Sequence, residues 1–226
     1  MDAASKLFPG WRAAGFDHHH DLAEDGVGGL ANRALEALDG FDIGDGPIFV
    51  CGESFGGTVA LTLAHLAPER VAGLILLSTF GWHPSMLARR GVGALAAWSF
   101  LGGRVGTTMY RAGRVVSIPS QLGLNFSAEL LRSYVVARPR SDMVAYRTKA
   151  ELSLTFDARP WLGTLEMPAF ILRGRFDPVV PPSAGEELAR RLPNSTLYTL
   201  SGGHLVHLVQ PDRVGGLIVD WAHNLP

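Results

Sequence analysis

The chain has 226 residues and a formal net charge of −1, enough to bury a core as one domain or as one domain carrying an insertion. That charge gives no electrostatic basis for holding nucleic acid or an anionic membrane surface. Cys51 is the single cysteine, which excludes an intrachain disulfide, so nothing here demands an oxidising compartment.

In chain order, no basic segment followed by an apolar run opens the sequence, so no signal peptide is expected. His18-His19-His20, flanked by Asp17 and Asp21, suggests a metal. Adjacent side chains point in different directions, however, and three in a row rarely converge on one ion. The run reads as a solvated loop or a helix entrance, and no metal or cofactor is expected anywhere.

Ile48 to Gly57 carries the strongest signal: an apolar run, then Gly52-Glu53-Ser54-Phe55-Gly56, then a helix-like segment from Thr58 to Leu66. Strand, Gly-x-Ser-x-Gly and helix in that order make a nucleophile elbow. The turn lifts a serine hydroxyl clear of the sheet and holds the serine in strained backbone geometry, with Gly52 and Gly56 expected to remove collisions around it. Cys51, inside the predicted strand, is expected to be core filler. Pro68 stops the helix, and Val71 to Leu77 is a continuous apolar run suited to a strand buried on both faces.

From Phe80 to Leu165 the alternation of strand and helix disappears. A glycine-spotted apolar stretch (Gly91 to Gly106) precedes two predicted helices, Ala128 to Ala137 and Asp142 to Leu154. The segment reads as a mostly helical insertion, with further unresolved β-α units as the alternative. Its longest apolar stretch, Val92 to Leu101, is too short to span a bilayer, so the expected location is cytoplasmic. Trp82, Trp98, Phe100, Met86 and Met109 would line an acyl pocket or simply pack the insertion.

Ala169 to Leu172 is the next predicted strand. Ser183 and Glu186 have the capping-box spacing for a helix that presents Leu188, Ala189 and Leu192 on one face and stops at Pro193. Thr196 to Leu200 reads as a fourth strand and Pro211 to Trp221 as a closing helix. Strands alternating with helices argue for a mostly parallel sheet covered on both faces.

A serine hydroxyl becomes a nucleophile only when a base takes its proton, and the base needs an acid to orient it. Asp177 follows the third strand and His204 the fourth, so both fall with Ser54 at the carboxyl edge of one sheet, where α/β proteins collect their chemistry. Asp157 and Asp142 are weaker rivals for the acid, being in or at the margin of the insertion. His207 competes for the base, but Gly202 and Gly203 permit a sharp loop at His204, while Leu205 to Val209 reads as packing. Glu53 reads as a local hydrogen-bonding residue.

On these residues the chain resembles the α/β-hydrolase superfamily, in its serine esterase and lipase-like branch. The resemblance covers Gly46 to Phe80 and Met167 to the C-terminus. It rests on Gly-Glu-Ser-Phe-Gly-Gly, Arg-Gly-Arg-Phe-Asp-Pro-Val-Val-Pro and Gly-Gly-His-Leu-Val-His-Leu. It implies an α/β core from residues 1–79 and 166–226 and a helical cap from 80–165. It also implies Ser54 as nucleophile, Asp177 as acid, His204 as base and the backbone N–H of Phe55 as one oxyanion donor. Leu7-Phe8-Pro9-Gly10-Trp11 resembles the segment after an early sheet strand in such proteins.

The implied function is hydrolysis of a small-molecule carboxylic ester through an acyl-enzyme. Thioester hydrolysis, acyl transfer and carbon–carbon bond hydrolysis use the same three groups. A non-catalytic member lacking a complete oxyanion hole is the rival of another class. The family's His-Gly dipeptide, which often supplies the second oxyanion donor, is missing, and few residues precede Ile48 for the earlier strands. The expectation is an N-terminally shortened core, with Ile48 to Cys51 as an edge strand prone to association into homo-oligomers.

Overall fold

The computed structural model describes residues 14–16, 26–38, 40, 46–84 and 143–225. Strands β1 (Ile48–Glu53), β2 (Val71–Leu77), β3 (Ala169–Gly174) and β4 (Ser195–Leu200) form one sheet in sequence order, every neighbouring pair parallel. Helices α1 (Gly26–Leu38), α2 (Phe55–Leu66), α3 (Met143–Thr155), α4 (Pro182–Arg191), α5 (Val206–Val209) and α6 (Pro211–His223) accompany it.

The period-2 alternation of side chains divides β2 between two cores. Leu74 and Leu76 face the first, with Ala169 and Ile171 of β3 and the apolar sides of α1, α2 and α4. Ile75 and Leu77 face the second, with Phe170, Leu172 and Leu200 against Val214, Ile218 and Trp221 of α6. A strand covered on both faces has no use for polar residues, which explains the continuous apolar run from Val71. Phe170 stacks on Tyr198 at 4.7 Å and meets the edge of Trp221 at 5.7 Å. Truncating such a ring to alanine costs about 3–5 kcal/mol.

β1 differs from the expectation of a buried strand. Its residues are mostly half-buried, and Cys51 is exposed at the strand's surface rather than packed as core filler, although the protein around it desolvates the thiol enough to push it up to about 11. The second core covers that face across β2 to β4 but reaches only Phe49 of β1, leaving Cys51 beyond its edge. Among the described residues, β2 is the one strand that pairs with β1.

Helix α1 has no counterpart among the elements expected from the sequence. Its buried residues Val27, Leu30, Ala31 and Ala34 follow the i, i+3, i+4, i+7 spacing of an apolar stripe. Helix α4 also starts differently from expectation. Pro182 takes the first helical position, which suits its fixed φ and missing N–H, so the helix begins before Ser183 can cap it. Glu186 instead accepts a hydrogen bond from Arg173 of β3 at 2.6 Å.

The described segments that end at residue 84 and begin again at residue 143 meet beside the core. Trp82 and Asp157 form an antiparallel bridge, and the Ala158 N–H donates to the Gly81 carbonyl at 2.7 Å. The Arg159 guanidinium lies 4.3 Å from the centre of the Trp82 ring and pairs with Asp157. Past this junction Ala158, Leu162 and Leu165 are buried in the first core. Helix α3 matches the predicted helix at 142–154. The stretch 91–106, the helix predicted at 128–137, Met86, Trp98, Phe100, Met109, Asp142 and His18 to His20 lie outside the described residues.

Candidate active site

At the carboxyl edge of the sheet, β1 passes into α2 through Ser54, whose backbone sits at φ 52°, ψ −121°. A non-glycine residue in that region is strained and persists only where its surroundings hold it. Gly52 permits the turn: a Cβ there would lie 2.5 Å from the Gly56 carbonyl oxygen and 2.6 Å from the Gly57 Cα. Gly56 does not have the role expected of it, since a Cβ at that position meets nothing within 4 Å. The second demanding glycine is Gly57, where a Cβ would lie 2.2 Å from Thr79 Oγ1. Helix α2 sets off so close to the end of β2 that its third residue touches that strand's continuation.

Ser54 occupies the N-cap position of α2 but makes no capping hydrogen bond with its side chain. Its hydroxyl is turned to His204 instead, with Oγ 2.9 Å from Nε2. The other ring nitrogen, Nδ1, is 2.8 Å from Asp177 Oδ2. An ionised carboxylate only accepts, so Nδ1 carries the ring proton and Nε2 offers its lone pair to the serine O–H. His204 and Asp177 are both buried, with 5% and 6% of their surface exposed. Asp177 is fixed through its second oxygen, Oδ1, which accepts the N–H groups of Val179 at 2.8 Å and Val180 at 2.9 Å.

The loops after β3 and β4 interlock to make this meeting possible. The Arg175 N–H donates to the Leu200 carbonyl, and the Phe176 N–H to the Gly202 carbonyl. A Cβ on Gly174 would lie 2.2 Å from the Gly203 carbonyl oxygen, and one on Gly202 would lie 2.6 Å from Val206 Cγ2. The Gln210 side chain donates to the Ser201 carbonyl at 2.7 Å and closes the loop before His204.

The sequence-derived rivals lie elsewhere. Asp157 lies at the bridge to Trp82 and is engaged by Arg159, whose hydrogen bond holds its carboxyl below the usual carboxylate range. His207 lies one turn past His204 with its Nδ1 buried and unpartnered among the described residues. Burial, and then the neighbouring His204, push its imidazole down to about 4. Glu53 reaches the site itself: its Oε1 is 3.4 Å from His204 Nε2, near the nitrogen that faces Ser54. The backbone N–H of Phe55 belongs to the first residue of α2, among the four that a helix leaves without an internal acceptor. Among the described residues no cluster of His, Cys, Asp and Glu could hold a metal ion, and no helix is long and apolar enough to cross a membrane.

Residues 42–211 match the profile of the alpha/beta hydrolase fold family. The chain belongs to that family. It is 32% identical over 184 residues to the magnesium-chelatase 30 kDa subunit of Rhodobacter capsulatus, covering 77% of this chain and 63% of that protein. It is 26% identical over 191 residues to a poly(3-hydroxyalkanoate) depolymerase of Ectopseudomonas oleovorans, covering 84% of this chain and 65% of that one. The chain therefore spans a little under two thirds of the length of these two relatives. Among solved structures, a thermophilic esterase from Thermogutta terrifontis superposes with a TM-score of 0.72 at 25% identity, covering 88% of this chain and 72% of the esterase. These matches account for the parallel sheet flanked by helices as the family's core.

Proposed function

We propose that the protein is a serine hydrolase that cleaves a carboxylic ester through an acyl-enzyme. The observation that carries this reading is the continuous chain from Ser54 Oγ through His204 to Asp177 on a strained elbow. Membership of a hydrolase-fold family, and likeness to proteins described as a depolymerase and an esterase, support it.

In this mechanism Nε2 of His204 takes the hydroxyl proton as Ser54 Oγ attacks the ester carbonyl carbon. The oxyanion that develops is met by the Phe55 N–H, with the positive end of α2 behind it. His204 then passes the proton to the alkoxide leaving group, the alcohol departs, and the acyl group remains on Ser54. Water enters, gives a proton to Nε2 and attacks the acyl carbonyl; the bond to Oγ then breaks, Nε2 returns the proton to Oγ, and the acid is released. Asp177 holds the Nδ1–H throughout and stabilises the imidazolium between steps. Residues 80–165 serve as a helical cap that shapes the acyl pocket. The substrate is a small ester, and no cofactor takes part.

A fluorophosphonate probe tests the reading, because it labels a serine only when a neighbouring base activates it. Peptide mapping by mass spectrometry should place the label on Ser54 alone. Unlabelled protein, or a label on another residue, would overturn the assignment.

A further inference from the structure

We infer that Thr79 is a positioning residue for the nucleophile: its hydroxyl clamps the strained backbone of Ser54 and fixes where Oγ stands. The inference rests on the reading of Ser54 as nucleophile. It adds a residue to which neither the Gly-x-Ser-x-Gly pattern nor the Ser54, His204 and Asp177 chain assigns a role.

A backbone at φ 52° relaxes unless something holds it. The Ser54 N–H donates to the Leu77 carbonyl at 2.9 Å, and the Ser54 carbonyl accepts the Gly57 N–H at 3.0 Å. The same carbonyl accepts the Thr79 hydroxyl at 2.6 Å, the shortest of these bonds and one that reaches across 25 residues of sequence. Ser54 is thus held from β1, from α2 and, through Leu77 and Thr79, from the end of β2.

The chain turns sharply to bring Thr79 into place. Ser78 has φ 47°, and it and Ser54 are the two non-glycine residues with positive φ among those described. The N–H of Ser78 donates to the Leu172 carbonyl of β3 at 2.7 Å, away from the elbow. The left-handed turn at Ser78 then throws Thr79 back toward β1, where it is buried with 3% of its surface exposed. Gly57 completes the arrangement, since a Cβ there would occupy the space of the Thr79 hydroxyl. The second glycine of the Gly56-Gly57 pair therefore makes room for the clamp, a role the elbow pattern leaves unexplained.

A bond to the carbonyl of the attacking residue acts on geometry and touches no substrate. Its loss should let Ser54 relax and shift Oγ from Nε2 while the substrate pocket stays intact. Misplacement of a reacting group by about 1 Å costs roughly a hundredfold in rate. Thr79→Val keeps the shape and deletes the hydroxyl; Thr79→Ser keeps the hydroxyl and deletes the methyl.

The experiment measures kcat and KM on a p-nitrophenyl ester, the rate of fluorophosphonate labelling, and the thermal midpoint for wild type and both variants. T79V should lose about 10- to 100-fold in kcat and in labelling rate with KM within about twofold of wild type, and T79S should keep most of the wild-type rate. If T79V does not fold, Thr79→Ala against T79S makes the same comparison with less crowding. A hydroxyl-free variant with wild-type kcat, or T79S and T79V impaired alike, overturns the clamp. Wild-type protein that neither turns over the ester nor takes the label at Ser54 overturns the nucleophile reading itself, and the clamp with it. Labelled wild type alongside an equally reactive T79V overturns the clamp alone.

Discussion

Gly174 and Gly203 touch so closely that a Cβ on the first would lie 2.2 Å from the carbonyl oxygen of the second. That contact joins the end of β3 to the loop after β4, the two segments that carry Asp177 and His204. Gly174→Ala should push the loops apart, cost about 1–3 kcal/mol of stability as an overpacked site, and lower ester turnover. Urea unfolding and initial rates on the same samples check it. Unchanged stability with unchanged turnover would show that the loops separate freely.

Asp177→Asn should reverse the histidine tautomer. The two N–H groups of Val179 and Val180 retain the oxygen of the new carboxamide, which leaves its NH2 facing His204 Nδ1. Nε2 must then carry the proton and cannot accept one from Ser54. The expected loss in kcat is about 10⁴-fold, the loss seen when the same exchange is made in a serine protease. A loss under about tenfold would place the acid elsewhere.

His204→Ala and His207→Ala separate the two histidines. The first should reduce hydrolysis to the level left without the serine hydroxyl, whereas the second should leave most of it. Nε2 of His204 faces Ser54 at 2.9 Å, and His207 has no bond to it among the described residues. The opposite pattern in initial rates would move the base to His207.

Much of this was legible in the sequence, and the parts that were not have physical reasons. β2 could be read because burial on both faces leaves its Val71–Leu77 run wholly apolar. The elbow could be read because a tight turn needs Gly52, and the meeting of Ser54, Asp177 and His204 because each follows a strand of one parallel sheet. Thr79 and Ser78 gave no signal, since a hydroxyl that bonds a backbone carbonyl 25 residues away has no local pattern. The Gly-x-Ser-x-Gly spacing points to Gly56, its fifth residue, while the close contact falls on Gly57 because it depends on where β2 ends. The capping box at Ser183 was overridden by Pro182 at the first helical position. Helix α1 carried an apolar stripe of Val27, Leu30, Ala31 and Ala34 that periodicity could have found.

His207 should make the fold acid-sensitive. Its imidazole is pushed down to about 4 in the folded protein, against an ordinary value of 6.5. The unfolded chain therefore binds the proton more readily, and stability is lost as pH falls from about 6.5 toward 4, by roughly 2–3 kcal/mol for a half-buried group. His207→Gln should flatten that part of the stability curve, measured by urea unfolding at pH 7 and pH 4.5. An equal fall in both proteins would show that His207 does not contribute.

The most direct test is the rate of hydrolysis of a short p-nitrophenyl ester by wild type and Ser54→Ala, with circular dichroism to show that both are folded. The substitution removes one hydroxyl from a residue whose side chain caps nothing. Folded Ser54→Ala should lose essentially all of the wild-type turnover. Turnover close to the wild-type rate in the folded variant would contradict Ser54 as the nucleophile.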